Sequence, residues 1–344
     1  MPRVSIKKGL SILLALGVVY ILGLKSCWLS RKHGNLGLIE KRRMVVDSSH
    51  RKEMEGFPAA DTNLKEEKAW LKKMYEKHQH RVDVLRRACA EDYNISLQSA
   101  SSLAANPGSL RPLIVNDQYR FIYSIVYKVG STNWERVLVE DLGGFKNVPN
   151  QKLYSHKALH WMPRFNSTGI EKRLTEYTTF MFVRNPLARV LSAYKDKFVN
   201  HQNRVFSKLE KSIIQNYREK SDEPSSSDNV TLTEFIRYLV DSPAHRLNPH
   251  WKPIFLQNLP CKIKYDIIGK LEEASDDIPY VLSMLQIGHL VSYAERQNKH
   301  VSEKKLLREY YSHVPDDLLQ KLCAIYQADF VLFGYNIPDS FTEI

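Results

Sequence analysis

Twice in this 344-residue chain, a run of β-branched and aromatic residues stops at a basic residue and gives way at once to a helical stretch. The first run covers residues 120–127 and leads into Lys128-Val129-Gly130-Ser131-Thr132-Asn133-Trp134. The second, residues 178–183, leads into Arg184-Asn185-Pro186-Leu187-Ala188-Arg189-Val190-Leu191-Ser192. Each reads as a buried strand, a tight turn and a helix. A third strand is expected at residues 264–269, and helices at 133–142, 186–199, 233–241, 276–285, 302–311 and 315–326. Strands alternating with helices imply an α/β fold, a parallel sheet flanked by helices on both faces. Residues 99–112 read as an entry loop and 221–228 as a polar loop.

A turn between a strand and a helix N-terminus points backbone N–H groups and the positive end of the helix at an anion. Lys128 adds a charge there, and Ser131 and Thr132 add hydroxyl donors. The spacing is not that of a Walker A loop, because the lysine precedes the glycine. The plainer alternative is an ordinary helix cap at Ser131 or Thr132. In the second segment Arg184 stands at the carboxyl edge of its strand, where open α/β sheets bind ligands. Arg189 and Ser192 share a helical face. Arg184 and Ser192 are suited to gripping a phosphate; for Arg189 a packing or ion-pair role stays open.

The net charge of +12 divides into +10 over residues 1–90, +8 over 91–220 and −6 over 221–344. The middle block fits an anionic ligand or a solvated basic surface. Nucleic acid is not expected, since no recognised nucleic-acid-binding signature appears. Cys27, Cys89, Cys261 and Cys323 form no C-x-x-C pair, so no metal site is expected.

Residues 9–24 are uncharged and apolar, with Lys7, Lys8 and Lys25 on either side, and residues 26–29 can lengthen the span. The basic N-terminus favours a cytosolic start. No small-x-small pattern follows to suit a cleaved signal peptide. The expected order is a cytoplasmic tail 1–8, a signal-anchor transmembrane helix 9–29, a luminal stem 30–80 and a catalytic domain 81–344. Asn94, Asn166 and Asn229 head Asn-x-Ser/Thr sequons, as suits a luminal glycoprotein. Leu64, Leu71, His78 and Leu85 recur every seventh residue, which leaves a homodimer seam or a single solvated helix open.

Taken together, the two basic segments resemble the 5′-phosphosulfate loop and 3′-phosphate motif of the carbohydrate sulfotransferases, in particular the HNK-1 and chondroitin/dermatan 4-O-sulfotransferase family. Matching residues are Lys128, Val129, Gly130, Thr132, Asn133 and Trp134 in the first motif. In the second they are Phe182, Val183, Arg184, Pro186, Arg189, Ser192, Ala193 and Tyr194, followed by Asp196-Lys197-Phe198. His250-Trp251, residues 261–272 and residues 329–335 extend the likeness, which runs from about residue 81 to residue 338. Departures are Tyr127 for a proline, Asn185 for an acidic residue and Leu187-Ala188 for a Phe-Glu pair. Ser124 and Asn258 stand where two cysteines are expected. Their joint replacement implies a lost bridge, with Cys89–Cys261 as the remaining one.

The resemblance implies a P-loop-like sulfotransferase fold and 3′-phosphoadenylyl sulfate as donor, held by Tyr127–Asn133 and by residues 184–192, with no metal required. It implies Lys128 at the leaving phosphate oxygen and a histidine as base, His156 first and His160 second, with His250 shaping the acceptor site. The expected partner is an anionic or a GalNAc- or glucuronate-bearing glycan at the Golgi membrane. The candidate hydroxyls are the GalNAc 4-hydroxyl of chondroitin or dermatan and the 3-hydroxyl of terminal glucuronate; His289-Leu290-Val291-Ser292-Tyr293 looks more like the glucuronyl branch. The competing readings are a catalytically weak glycan-binding protein on the same fold and a P-loop kinase.

Overall fold

The computed structural model describes residues 58–200, 204–218, 229–291, 293, 303–340 and 342. The anchor expected at 9–29 and most of the stem lie outside the described residues. Among those described, no helix is long and apolar enough to cross a membrane. The main compact unit is Leu64–Ile344.

In chain order the elements that position the site are α1 (Pro58–Glu91), β1 (Leu113–Asn116), β2 (Phe121–Ser124), α2 (Ser131–Arg136), β3 (His160–Trp161) and α3 (Ser167–Glu176). They continue with β4 (Thr178–Val183), α4 (Pro186–Tyr194), α5 (Leu232–Asp241), β5 (Ile267–Lys270), α6 (Ala274–Met284), α7 (Glu303–Tyr311) and α8 (Asp316–Ile325). Both α2 and α4 run on into a π-helical turn, Val137–Asp141 and Lys195–Val199.

The sheet has the order β3-β1-β2-β4-β5. The expectation of a parallel sheet holds for β2, β4 and β5, but the sheet is mixed, because β1 runs antiparallel to both β2 and β3. Only residues 117–120 connect β1 to β2, with Arg120 at φ 53°. A link that short makes a hairpin and cannot make a parallel crossover. The central strands are buried on both faces, with Phe121–Ser124 and Thr179–Val183 all enclosed, as parallel strands under helices require. At Gly269 an added Cβ would fall 2.4 Å from Cε1 of Phe182, its neighbour across the β4–β5 register. The ring thus occupies the room that the glycine leaves.

The segment expected as an entry loop holds a short helix, Ala100–Ala104, and a 3-10 turn, Pro107–Leu110. Ser99 caps the first by accepting a hydrogen bond from Ser102 N, a cap that outweighs the local Ser, Pro and Gly content. The described heptad positions of α1 pack against the chain's own core, so α1 is not a solvated rod. Its His78 and Leu85 are 0% exposed, and Leu71 packs against the core. Residues 64–80, read from sequence as the end of the stem, therefore lie on the body. Arg81 donates to Asp277 at 2.6 Å, Lys77 pairs with Glu273 at 2.6 Å, and His78 stacks on Tyr280 at 4.4 Å. Burial opposes ionisation of Asp277, yet hydrogen bonds from His78, Lys270 N and Arg81 hold its carboxyl well below the usual carboxylate range. The Cys89–Cys261 disulfide ties the same helix to the segment before β5, as expected.

A second core lies under α4, α5, α7 and α8, around Phe198, Phe235, Trp251 and Tyr311. The start of α5 is set by a reciprocal capping box between Thr231 and Glu234.

Candidate active site

The turn after β2 is built by two residues in the left-handed region, Lys128 at φ 71° and Gly130 at φ 85°. A lysine rarely adopts that conformation, and such backbone strain clusters at ligand sites. At Gly130, which precedes α2, an added Cβ would come 3.4 Å from the Tyr293 hydroxyl. Val129 and Trp134 are 1% exposed, and Ser131 is buried, so apolar anchors fix the turn while Thr132 stays exposed. Asn133 N and Trp134 N donate to the Gly130 carbonyl at 3.0 and 3.4 Å, so the N–H groups of Ser131 and Thr132 are those of the first turn that the helix itself cannot satisfy.

The two basic segments meet here. Arg184, at the end of β4, donates from Nη1 to the Lys128 carbonyl at 3.1 Å. Lys128 Nζ lies 2.8 Å from Asp196 Oδ2, and Lys197 Nζ lies 3.0 Å from the same oxygen. Burial lowers the Lys128 pKa, and Asp196 acts in the opposite sense. The Asp196 carboxyl is held low by the two lysines against the opposing effect of burial. Concentrated positive charge in a half-enclosed turn suits a polyanionic ligand.

Asn185 does for α4 what an acidic residue would do. Its Oδ1 accepts from Leu187 N at 3.0 Å and from Ala188 N at 3.2 Å, so the helix cap survives that departure. Its own N–H donates to Glu272 Oε1 at 2.6 Å, and Glu272 Oε2 accepts from the Tyr335 hydroxyl at 3.0 Å. The residues 261–272 and 329–335 are thereby joined to the second motif.

Several residues expected at the ligand face inward instead. Pro186, Leu187, Ala188, Val190 and Leu191 are buried in the helical core. Arg189 is 1% exposed, donates from Nη2 to the Lys252 carbonyl at 2.6 Å and lies 3.7 Å from Asp329 Oδ2. Its guanidinium is thus engaged inside the fold. Arg184, Asn185 and Ser192 stay half-exposed.

The histidines divide in the same way. His156 Nδ1 accepts from Ala158 N at 3.2 Å, and its ring meets Phe145 edge-on at 4.5 Å. That bond occupies the Nδ1 lone pair and puts the proton of the neutral ring on Nε2. His160 is exposed on the edge strand β3. His250 packs 4.6 Å from the Tyr127 ring, and its buried Nδ1 has no hydrogen-bond partner among the described residues. Burial, then the charges of Lys197 and Lys128, lower its pKa to about 3. The structure therefore brings His250 to the turn at Lys128, whereas the sequence points first to His156 and then to His160. The signal available was the His250-Trp251 pair.

Ser124 and Asn258, standing where the resemblance expects cysteines, touch. Asn258 Nδ2 donates to Ser124 Oγ at 2.8 Å, and the Tyr265 hydroxyl donates to the same oxygen at 2.9 Å. A polar cluster holds the place of the lost bridge. Among the three sequon asparagines, Asn94 and Asn166 are exposed and Asn229 is half-buried; Asn166 also caps α3.

Residues 111–336 match the model of the Sulfotransferase family. The chain is 40% identical over 239 residues to carbohydrate sulfotransferase 14 of Danio rerio, a match covering 68% of this chain and 65% of that protein. It is 31% identical over 328 residues to carbohydrate sulfotransferase 10 of Xenopus laevis, covering 89% and 88%. It is 28% identical over 273 residues to carbohydrate sulfotransferase 11 of Mus musculus, covering 76% and 77%. With the carbohydrate sulfotransferase 14 proteins of Danio rerio, Mus musculus and Homo sapiens, the match spans less than two thirds of the relative's own length, 61–65%. No solved structure matches. The matched region contains the phosphate turn and both halves of the lysine–aspartate cluster, and the chain belongs to the sulfotransferase family, with carbohydrate sulfotransferases 14, 11 and 10 among its relatives.

Proposed function

We propose that this protein is an enzyme that transfers a sulfonate group from 3′-phosphoadenylyl sulfate to a sugar hydroxyl of a glycan. The observation that carries the reading is the contact of Arg184 with the Lys128 carbonyl, which joins two anion-binding segments at one turn. A donor with a phosphosulfate at one end and a 3′-phosphate at the other needs two such seats. The turn at Lys128–Thr132 takes the phosphosulfate, and Arg184 with Ser192 takes the 3′-phosphate.

In the reaction the acceptor oxygen forms a bond to sulfur while the bond from sulfur to the bridging phosphate oxygen breaks. Lys128 balances the charge that gathers on that leaving oxygen, which departs as adenosine 3′,5′-bisphosphate. The acceptor hydroxyl loses its proton to a histidine, His250 beside Tyr127 being the candidate. In the empty site burial above all, and then the charges of Lys197 and Lys128, keep this imidazole neutral. An anionic donor offsets the two lysines and so raises its basicity in part.

The acceptor we assign is a glycosaminoglycan or glycoprotein glycan, at the GalNAc 4-hydroxyl of chondroitin or dermatan or at the 3-hydroxyl of a terminal glucuronate. The proposed setting is the Golgi lumen, with the body hung from a single type II anchor. The Cys89–Cys261 disulfide supports an oxidising compartment.

The test is transfer from labelled donor onto desulfated chondroitin, dermatan, a GalNAc-terminated glycan and a glucuronate-terminated glycan. Product on one of them establishes both reaction and acceptor. A folded protein that binds adenosine 3′,5′-bisphosphate yet modifies none of the panel favours the glycan-binding reading. Absence of nucleotide binding overturns the proposal.

A further inference from the structure

A line of aromatic rings leads from the edge of the sheet to the phosphate turn. Trp161, on β3, lies 4.7 Å from Tyr154, Tyr154 lies 6.1 Å from Tyr127, and Tyr127 lies 4.6 Å from His250. Tyr127 directly precedes Lys128. These rings differ from the core aromatics. Trp134, Tyr123 and Phe180 are 0–1% exposed, whereas Tyr154 is 48% exposed and Trp161 and Tyr127 are half-exposed. An exposed ring continuous with two half-buried ones beside the Lys128 turn gives a surface on which a ligand can lie.

The chemistry of a pyranose matches such a strip. One face of the ring presents axial C–H bonds with slight positive charge, and the π-face of an aromatic ring is negative. The sugar's hydroxyls then point sideways, free for polar contacts. We propose that Tyr127, Tyr154 and Trp161 form a stacking platform for the acceptor glycan, laying one sugar ring on Tyr127 with its hydroxyl toward Lys128 and His250, and the neighbouring sugar on Tyr154 and Trp161. This rests on the sulfonate-transfer reading for its orientation, and it adds a subsite of two consecutive sugars. It also gives a role to Tyr127, which stands where the resembling family has a proline. A proline there would offer no ring to stack.

The experiment uses the full chain and desulfated chondroitin oligosaccharides of two and four sugars, with Tyr154→Ala and Tyr154→Phe as variants and Tyr75→Ala as the control. Tyr75 is an exposed aromatic on α1, away from the strip. Tyr154 is exposed, so its truncation leaves the core intact. Two readouts are taken: saturation transfer from aromatic protons to bound sugar by NMR, and steady-state transfer. Tyr154→Ala is expected to raise the acceptor KM roughly tenfold, the loss of one good aromatic contact. Its effect on kcat and on adenosine 3′,5′-bisphosphate affinity is expected to be much smaller. Tyr154→Phe recovers most of the affinity, because the ring face and not the hydroxyl makes the contact. With two seats in the platform, the tetrasaccharide is expected to bind the wild type little more tightly than the disaccharide does. An unchanged KM and unchanged saturation transfer in Tyr154→Ala overturn the platform, as does an equal loss in Tyr154→Phe. If the wild type binds sugar through these rings but transfers no sulfonate, the platform stands and the reaction assignment falls.

Discussion

Asp196 Oδ2 sits between two ammonium groups, 2.8 Å from Lys128 Nζ and 3.0 Å from Lys197 Nζ. Without a ligand, the charge that would meet a phosphosulfate is thus already met by a carboxylate of the chain. An anionic nucleotide competes with it. Asp196→Asn is expected to bind adenosine 3′,5′-bisphosphate about three- to tenfold more tightly, with a steeper dependence on salt, as two half-buried lysines lose their internal counter-charge. Calorimetric titration at several ionic strengths reads this directly. Weaker binding would show that Asp196 instead holds Lys128 in its productive posture.

Lys128 itself is expected to matter more for turnover than for binding. In the proposed reaction its ammonium meets the charge that develops on the leaving oxygen, and such groups act mainly in the transition state. Lys128→Ala should lower kcat by roughly 10²–10³-fold, with a smaller loss of nucleotide affinity. Single-turnover measurement with saturating donor separates the two effects. An equal fall in both would make Lys128 a ground-state anion ligand.

The two arginines of the second motif should behave oppositely. Arg189 is 1% exposed and faces Asp329, which also accepts hydrogen bonds from Ile254 N and Phe255 N. Arg189→Met strands a buried carboxylate and is expected to destabilise the fold by about 3–5 kcal/mol. Arg184→Ala should keep the melting temperature within a few degrees and weaken nucleotide binding at least tenfold. Thermal melts paired with nucleotide titration decide the matter; a stable Arg189→Met that fails to bind nucleotide would return Arg189 to the ligand site.

That division could not be read from spacing alone. The sequence places Arg184 at a strand end, and the strand Thr178–Val183 appears where its apolar run predicts it. Helical spacing puts Arg189 and Ser192 close together, yet Arg189 is buried toward Asp329, far along the chain, while Ser192 stays half-exposed. For the same reason the pairing of Lys128 with Asp196, 68 residues apart, left no local trace. The strands β1 and β3 escaped notice because four and two residues are too few to show a period. His250 was undervalued because its significance comes from Tyr127 and the two lysines gathered around it.

The Cys89–Cys261 disulfide joins residues 172 positions apart, from α1 to the approach to β5. Closing so long a loop restricts the unfolded chain strongly. The Cys89→Ser, Cys261→Ser double variant is expected to lose about 3–5 kcal/mol. Chemical denaturation of the two proteins gives the difference. A loss below 1 kcal/mol would mean that Arg81, Arg86 and the buried Asp277 pin α1 without help.

The pH dependence of stability should carry the mark of Glu135. This residue lies in α2, directly after the Lys128 turn, 5% exposed and with a buried Oε1 that has no hydrogen-bond partner among the described residues. Burial raises its pKa to about 7. The sign follows from proton counting. Between about pH 4.5 and 7 the unfolded chain has released this proton and the folded chain keeps it, so stability falls as pH rises through that window. Above pH 7 the loss is complete, at about 3 kcal/mol. Glu135→Gln, which keeps the shape and cannot ionise, is expected to match the wild type near pH 4.5 and to exceed it by up to that amount at pH 8. Urea denaturation across this range measures the gap. A gap that stays constant with pH would show that Glu135 is solvated or paired when it ionises, and that the base of the phosphate turn is less dry than its packing indicates.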